Sequence, residues 1–67
     1  MSVAKVSEIS SSSTKSFEDA IASGLKRFSR TVEGVQEAWV HEQKVKLSGG
    51  SIAEYRVMMK VTFIVKD

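Results

Sequence analysis

The chain has no cysteine, and only one histidine, His41, among its 67 residues. Disulfides and thiolate zinc sites are therefore excluded, and a zinc site within one chain lacks its usual nitrogen ligands. Sixty-seven residues make a single domain spanning 1–67. A domain this small buries only about 60% of its unfolded surface and is marginal alone. With no disulfide or metal staple, oligomerisation is the remaining route to stability.

Charge of one sign is also missing. Ten basic and eight acidic residues are mixed along the chain, for a net charge of +2. No basic block marks a nucleic-acid arm, so no nucleic-acid partner is expected. No apolar run approaches the roughly 18 residues of a membrane span, and the opening Met1-Ser-Val-Ala-Lys5 carries no apolar leader. A cytoplasmic protein without a membrane partner is expected. Catalytic motifs are absent too. Gly49-Gly50 lies between two strand-like segments, the wrong context for cradling a phosphate at a helix start. No nucleophile stands at a diagnostic spacing from His41. The chain is expected not to be an enzyme.

What the chain does have is a long alternating end. From Ile52 to Lys66, residues Ala53, Tyr55, Val57, Met59, Val61, Phe63 and Val65 share one parity. Glu54, Arg56, Met58, Lys60, Thr62, Ile64 and Lys66 take the other. Period-two alternation predicts a strand with one buried face. At about 3.3 Å per residue it runs to roughly 46 Å, against about 5–6 residues for an ordinary strand. Such a strand outgrows a 67-residue globule and points to an assembly.

Upstream, Val3–Ile9 is moderately β-prone, and the serine run Ser10–Ser13 reads as a loop. Phe17, Ala20, Ile21, Gly24, Leu25, Phe28, Val32 and Val35 then form one apolar stripe at spacings of three and four, a helix of about 18 residues. Ser16 and Asp19 suggest a capping box. Gly24 on the stripe implies close helix–sheet packing, and Gly34 a left-handed helix cap. A second strand is predicted over about Gln36–Leu47. Its apolar parity changes near Glu42–Lys44, as a β-bulge would cause. Ser48-Gly49-Gly50-Ser51 is a hairpin turn. The order is β-α-β-β, and so short a helix covers only part of such a sheet.

The polar face of the two long strands is the candidate binding surface, with Glu37, Trp39, His41 and Gln43 opposite Arg56, Met58 and Lys60. Trp39 suits either a stacking platform or a subunit interface. Arg56 suits either an ion pair with Glu37 or Glu54 or the binding of a phosphate or carboxylate. Copies of Glu37, His41 or Glu42 around a rotation axis could hold a hard cation.

The opening Lys5-Val-Ser-Glu8-Ile9, the serine run, the helix start Ser16-Phe-Glu-Asp-Ala20 and the end Glu54-Tyr-Arg-Val-Met-Met-Lys-Val-Thr-Phe63 resemble the dodecin family over nearly the whole chain. The resemblance implies an α+β fold, a three-stranded antiparallel sheet wrapped around one helix, with twelve subunits forming a hollow shell. It also implies a non-enzymatic role in binding or storing riboflavin-type flavins at subunit interfaces. In that family a tryptophan on the second strand stacks on the flavin ring, and a glutamine on the third bonds its edge. An ungapped alignment puts Glu37 at the first position and Arg56 at the second. Trp39 follows two residues later, about 6.6 Å along the strand. The chain is thus similar to a branch lacking the stacking tryptophan, in which some members are associated with calcium. The implied ligand is a flavin, FMN or riboflavin, with Trp39, Arg56, Glu37, Gln43 and Met58 as candidate contacts. Calcium is the alternative, with Glu37, His41 and Glu42 as candidate ligands, and a purely structural oligomer is a further one. Trp39 either walls a planar ligand or fills its place, and a Glu37–Arg56 pair favours the second.

Overall fold

The computed structural model describes residues 3–65. Lys66, assigned above to the last strand, and the opening Met1-Ser2 lie outside the described residues. Strand β1 (Val3–Ser13) leads to helix α1 (Phe17–Phe28), then to β2 (Val35–Ser48) and β3 (Ser51–Val65). The sheet is antiparallel throughout in the order β1-β3-β2, so the long last strand lies at the centre. Helix α1 packs on β1 and β3.

The alternation of β3 sorts as expected. Val57, Met59 and Val61 face the helix and are fully buried, together with Ala20 of α1. Ile9, Phe17, Ile21, Leu25, Phe28, Val35, Ala38 and Val40 pack around them. Edge-to-face ring pairs secure both helix ends: Phe17 on Tyr55, with centroids 5.2 Å apart, and Phe28 on Phe63 at 6.0 Å. Each fully buried aliphatic side chain is worth about 1.5–3 kcal/mol.

The serine run is strand, not loop. Its residues pair with β3 from Ser10↔Met58 to Ser13↔Tyr55. Hydrophobic alternation could not reveal this, because the helix-facing positions are hydroxyls. Ser11 Oγ donates to the Ala20 carbonyl at 2.7 Å, and Ser13 Oγ donates to Asp19 Oδ2 at 2.6 Å. Small side chains let the helix come close. A Cβ on Gly24 would lie 2.7 Å from Ser11 Cβ, which accounts for glycine on the stripe.

Ser16 caps the helix by accepting from the Asp19 N–H at 2.9 Å. Asp19 does not complete the box, since its carboxylate takes the Ser13 hydroxyl. The helix is 12 residues long, shorter than the stripe predicts. Beyond Phe28, the Thr31 and Val32 N–H groups and the Thr31 hydroxyl all converge on the Phe28 carbonyl. This tight turn runs through Ser29, Thr31 and Val32, all weaker helix formers than alanine or leucine. Gly34 is left-handed at φ 76°, yet it opens β2 rather than capping the helix: its carbonyl accepts from the Ile64 N–H at 3.0 Å.

Gly49 and Gly50 form the hairpin turn with φ of 58° and 82°, the double positive φ of a type I′ turn. Register shifts interrupt the β2–β3 ladder between Val35 and Glu37, between Val40 and Glu42, and between Lys46 and Leu47. The middle one makes His41 the extra residue, just before the predicted Glu42–Lys44 segment.

The subunit is not compact. Its Cα atoms extend 52 × 20 × 13 Å with a radius of gyration of 13.8 Å, against about 11 Å for a globule of this length. Leu47 and Ile52 are 64% and 49% exposed at the hairpin tip, and Val3, Val6, Val45 and Val65 are also exposed.

Gly24→Ala is expected to lower the thermal midpoint even though alanine gains about 1 kcal/mol in helix propensity, because overpacking typically costs about 1–3 kcal/mol. Thermal unfolding monitored by circular dichroism measures this. An unchanged or raised midpoint would show that the seam with Ser11 yields freely.

Candidate functional site

The sheet face turned away from the helix carries the site. Antiparallel pairing sets its side chains in rows across the three strands. Val6, Thr62 and Glu37 form one row; Glu8, Lys60 and Trp39 the next. Ser10, Met58 and Glu42 follow, then Ser12, Arg56 and Lys44, with Glu54 opposite Lys46 beyond. Successive rows stand about 6.6 Å apart along the strands.

Trp39 is 63% exposed at its place on β2. Lys60 Nζ lies 5.2 Å from its ring centroid, a cation–π contact. The His41 ring tilts against it at 5.6 Å and 54°. Because His41 is the bulge residue, its ring lies over the sheet, 17% exposed, between Glu8 and Glu42. Its Nε2 is 3.5 Å from Glu8 Oε2 and its Nδ1 is 3.9 Å from Glu42 Oε2. Nε2 is buried without a hydrogen-bond partner among the described residues.

Two rows away, Arg56 is held at both ends of its guanidinium. One terminal nitrogen donates to Ser10 Oγ at 2.9 Å, the other to Glu54 Oε2 at 3.2 Å. An open groove of 530 Å³ surrounds it, lined by Ser10, Lys44, Val45, Lys46, Glu54, Arg56 and Met58.

The structure thus brings Glu37, Trp39, His41, Glu42, Met58 and Arg56 onto one face and fixes the register that the sequence leaves open. Trp39 stands opposite Lys60, and Arg56 opposite Lys44. The Glu37 row lies six residues along β3 from Arg56, about 20 Å. A Glu37–Arg56 pair within the subunit is therefore overturned, and Glu54 is the partner. Gln43 also leaves the set. The bulge at His41 turns it to stand opposite Val57 on the helix side of the sheet. No cluster of three or more metal-ligating side chains occurs among the described residues. Composition and spacing did not single out Glu8, Ser10 or Lys44. All three enter through cross-strand pairing.

Fold and face together define a class: a one-helix β-α-β-β subunit that displays aromatic and ionic side chains on an open sheet. The dodecin family model matches residues 3–66. The dodecin from Streptomyces davaonensis is 30% identical, with a TM-score of 0.95 over 98% of this chain and 97% of its own. An arginine-to-alanine variant of Thermus thermophilus dodecin is 25% identical, with a TM-score of 0.95 over the whole of both chains. The calcium-chelating antigen of Mycobacterium tuberculosis, a calcium dodecin with a novel calcium-binding site, is 32% identical, with a TM-score of 0.83 over 96% of this chain and 91% of its own. Comparison with curated proteins gives no match. The chain belongs to the dodecin family.

Proposed function

We propose that this chain is the non-enzymatic subunit of a cytoplasmic homododecameric shell that binds and stores a small planar ligand, with a flavin of the riboflavin or FMN type first. The observation that carries the reading is the Trp39 ring, 63% exposed on a sheet face with a cation beside it. An exposed indole offers a stacking surface to a planar ring. With Arg56 engaged by Glu54 rather than Glu37, no pair within the subunit closes the face. Trp39 is then the wall of the ligand site. Met58 lies between the Trp39 and Arg56 rows as apolar floor. Arg56 donates to ring carbonyls or to the tail, and, having no acceptor, leaves a flavin ring N–H to another group. The exposed hydrophobic side chains of the hairpin tip and strand ends are the surface that neighbouring subunits cover.

A second reading takes calcium as ligand. It rests on the calcium-chelating relative at 32% identity and on Glu8, Glu37 and Glu42 sharing one face with His41. Within one subunit these carboxylates form no cluster among the described residues. The site would need copies of them meeting on a rotation axis.

Riboflavin and FMN titrated into the purified protein are expected to lose fluorescence on binding. Trp39→Ala should weaken the affinity up to about tenfold, from an aromatic pair worth ~0.5–1.5 kcal/mol beyond its buried area. Sedimentation should report twelve copies of the 7.4 kDa chain, about 89 kDa. Absence of quenching at tens of micromolar flavin removes the flavin reading, and a mass near that of one chain removes the shell. For the second reading, calcium should raise the thermal midpoint by mass action, and a melt indifferent to calcium rejects it.

A further inference from the structure

A second groove, of 360 Å³, runs between α1 and β1 on the helix side of the sheet. That size falls within the roughly 300–1,000 Å³ of small-molecule sites. The sheet order leaves β1 at an edge, so no described element lies beyond it to close the groove. Ile9, Gly24 and Phe28 give it an apolar lining. Ile9 and Phe28 are only partly buried against the core, and each keeps apolar surface toward the groove.

The polar groups around it differ in what they have left to give. The Thr31 hydroxyl donates to the Phe28 carbonyl at 3.2 Å, and the Ser11 hydroxyl to the Ala20 carbonyl at 2.7 Å. The Ser10 hydroxyl accepts from Arg56 on the opposite face. Ser23 and Arg27 remain. Both are exposed, and being four residues apart on α1 they are neighbours on one helix wall. The ion pairs among the described residues involve His41 and Arg56, and none reaches Arg27. No carboxylate lines the groove. Lys26, in the same last turn, meets the helix dipole without lining the groove, so the dipole alone does not account for a cation at this place. One unpaired guanidinium and one hydroxyl therefore stand at the rim of an apolar trough. A single positive charge matches a monoanion, and the planar fork matches a carboxylate by two parallel N–H···O bonds.

We propose that the α1–β1 groove binds an organic monocarboxylate with an apolar body, of the class of a short-chain fatty acid. Arg27 holds the carboxylate, the Ser23 hydroxyl donates to it, and the hydrocarbon lies against Ile9 and Phe28. The site is on the other side of the sheet from Trp39 and does not depend on the planar-ligand reading.

The test adds hexanoate, and separately its neutral counterpart hexanol, to the purified full-length protein at constant ionic strength, with binding followed by saturation-transfer NMR. Hexanoate is expected to bind about tenfold tighter than hexanol, because only the carboxylate makes the charged hydrogen bonds to Arg27. Arg27→Gln should lower hexanoate to the level of hexanol. Ser23→Leu, which sets a side chain over the apolar lining, should weaken both probes. Should Ser23→Leu fail to fold, the comparison of the two probes and the Arg27→Gln result still decide. Riboflavin quenching, which reads the opposite face, should be the same in the wild type and both variants. Equal binding of the two probes overturns the site, as does hexanoate binding untouched by Arg27→Gln. No saturation transfer to hexanoate at millimolar concentration also overturns it, and is the result expected if a neighbouring subunit covers the groove. A change of riboflavin quenching in the folded variants would show that the groove is not a separate site and likewise overturns the proposal.

Discussion

Everything in this subunit depends on one contact, the middle of β3 against the helix. Val57, Met59 and Val61 alone among the strand residues are fully shielded from water. A helix of 12 residues is about 18 Å long, so it cannot shield the 15 residues of β3, let alone the hairpin arm beyond. The deficit is geometric. No repacking inside one chain can bring apolar side chains to Leu47 or Ile52, because no element lies opposite them. Association is the physical completion of the core, and the family's multimeric shells supply such neighbours.

The side of the sheet away from the helix carries chemistry in place of packing. Because β3 is central, its outward residues meet partners from both flanking strands. That is how Lys60 comes to lie between Glu8 and Trp39, and Arg56 between Ser12 and Lys44. A residue on an edge strand has neighbours on one side only. The central position therefore gives each outward β3 side chain a cross-strand neighbour on both flanks.

Much of this was legible in the chain. Alternation over Ile52–Lys66 identified the buried and outward faces of β3, and the glycine pair located the hairpin. The helix stripe predicted the right face but the wrong length, since apolar spacing continues through Val32 and Val35 after the backbone has turned. The Ser10–Ser13 strand was invisible for a physical reason: its inward contacts are hydrogen bonds to the helix, and hydroxyls give no hydrophobic alternation. The strand register and the facing of Gln43 were not legible, because they depend on bulges at His41 and around Ala53: the parity change near Glu42–Lys44 pointed to the first, but nothing in the alternation marks the second. Family likeness contributed the fold. It did not show that Glu54 is the partner of Arg56, which is a matter of local geometry.

The two bulges have a further effect on the hairpin. The irregularity near Ala53 adds one residue to β3, and His41 adds one to β2, so the offsets cancel. Trp39 meets Lys60 as it would across an uninterrupted hairpin, while every pair between the bulges is displaced by one. The arm is thus a separately phased segment spliced into the sheet. Within it, Lys44 and Lys46 point outward and Gln43 and Val45 inward, the reverse of the parity that Trp39 sets. Losing one bulge alone would leave the hairpin turn intact and exchange the faces of part of β2. The outward face of β2 is therefore made of two patches of opposite parity that meet at His41, while β3 and its ladder with β1 run unbroken beneath both.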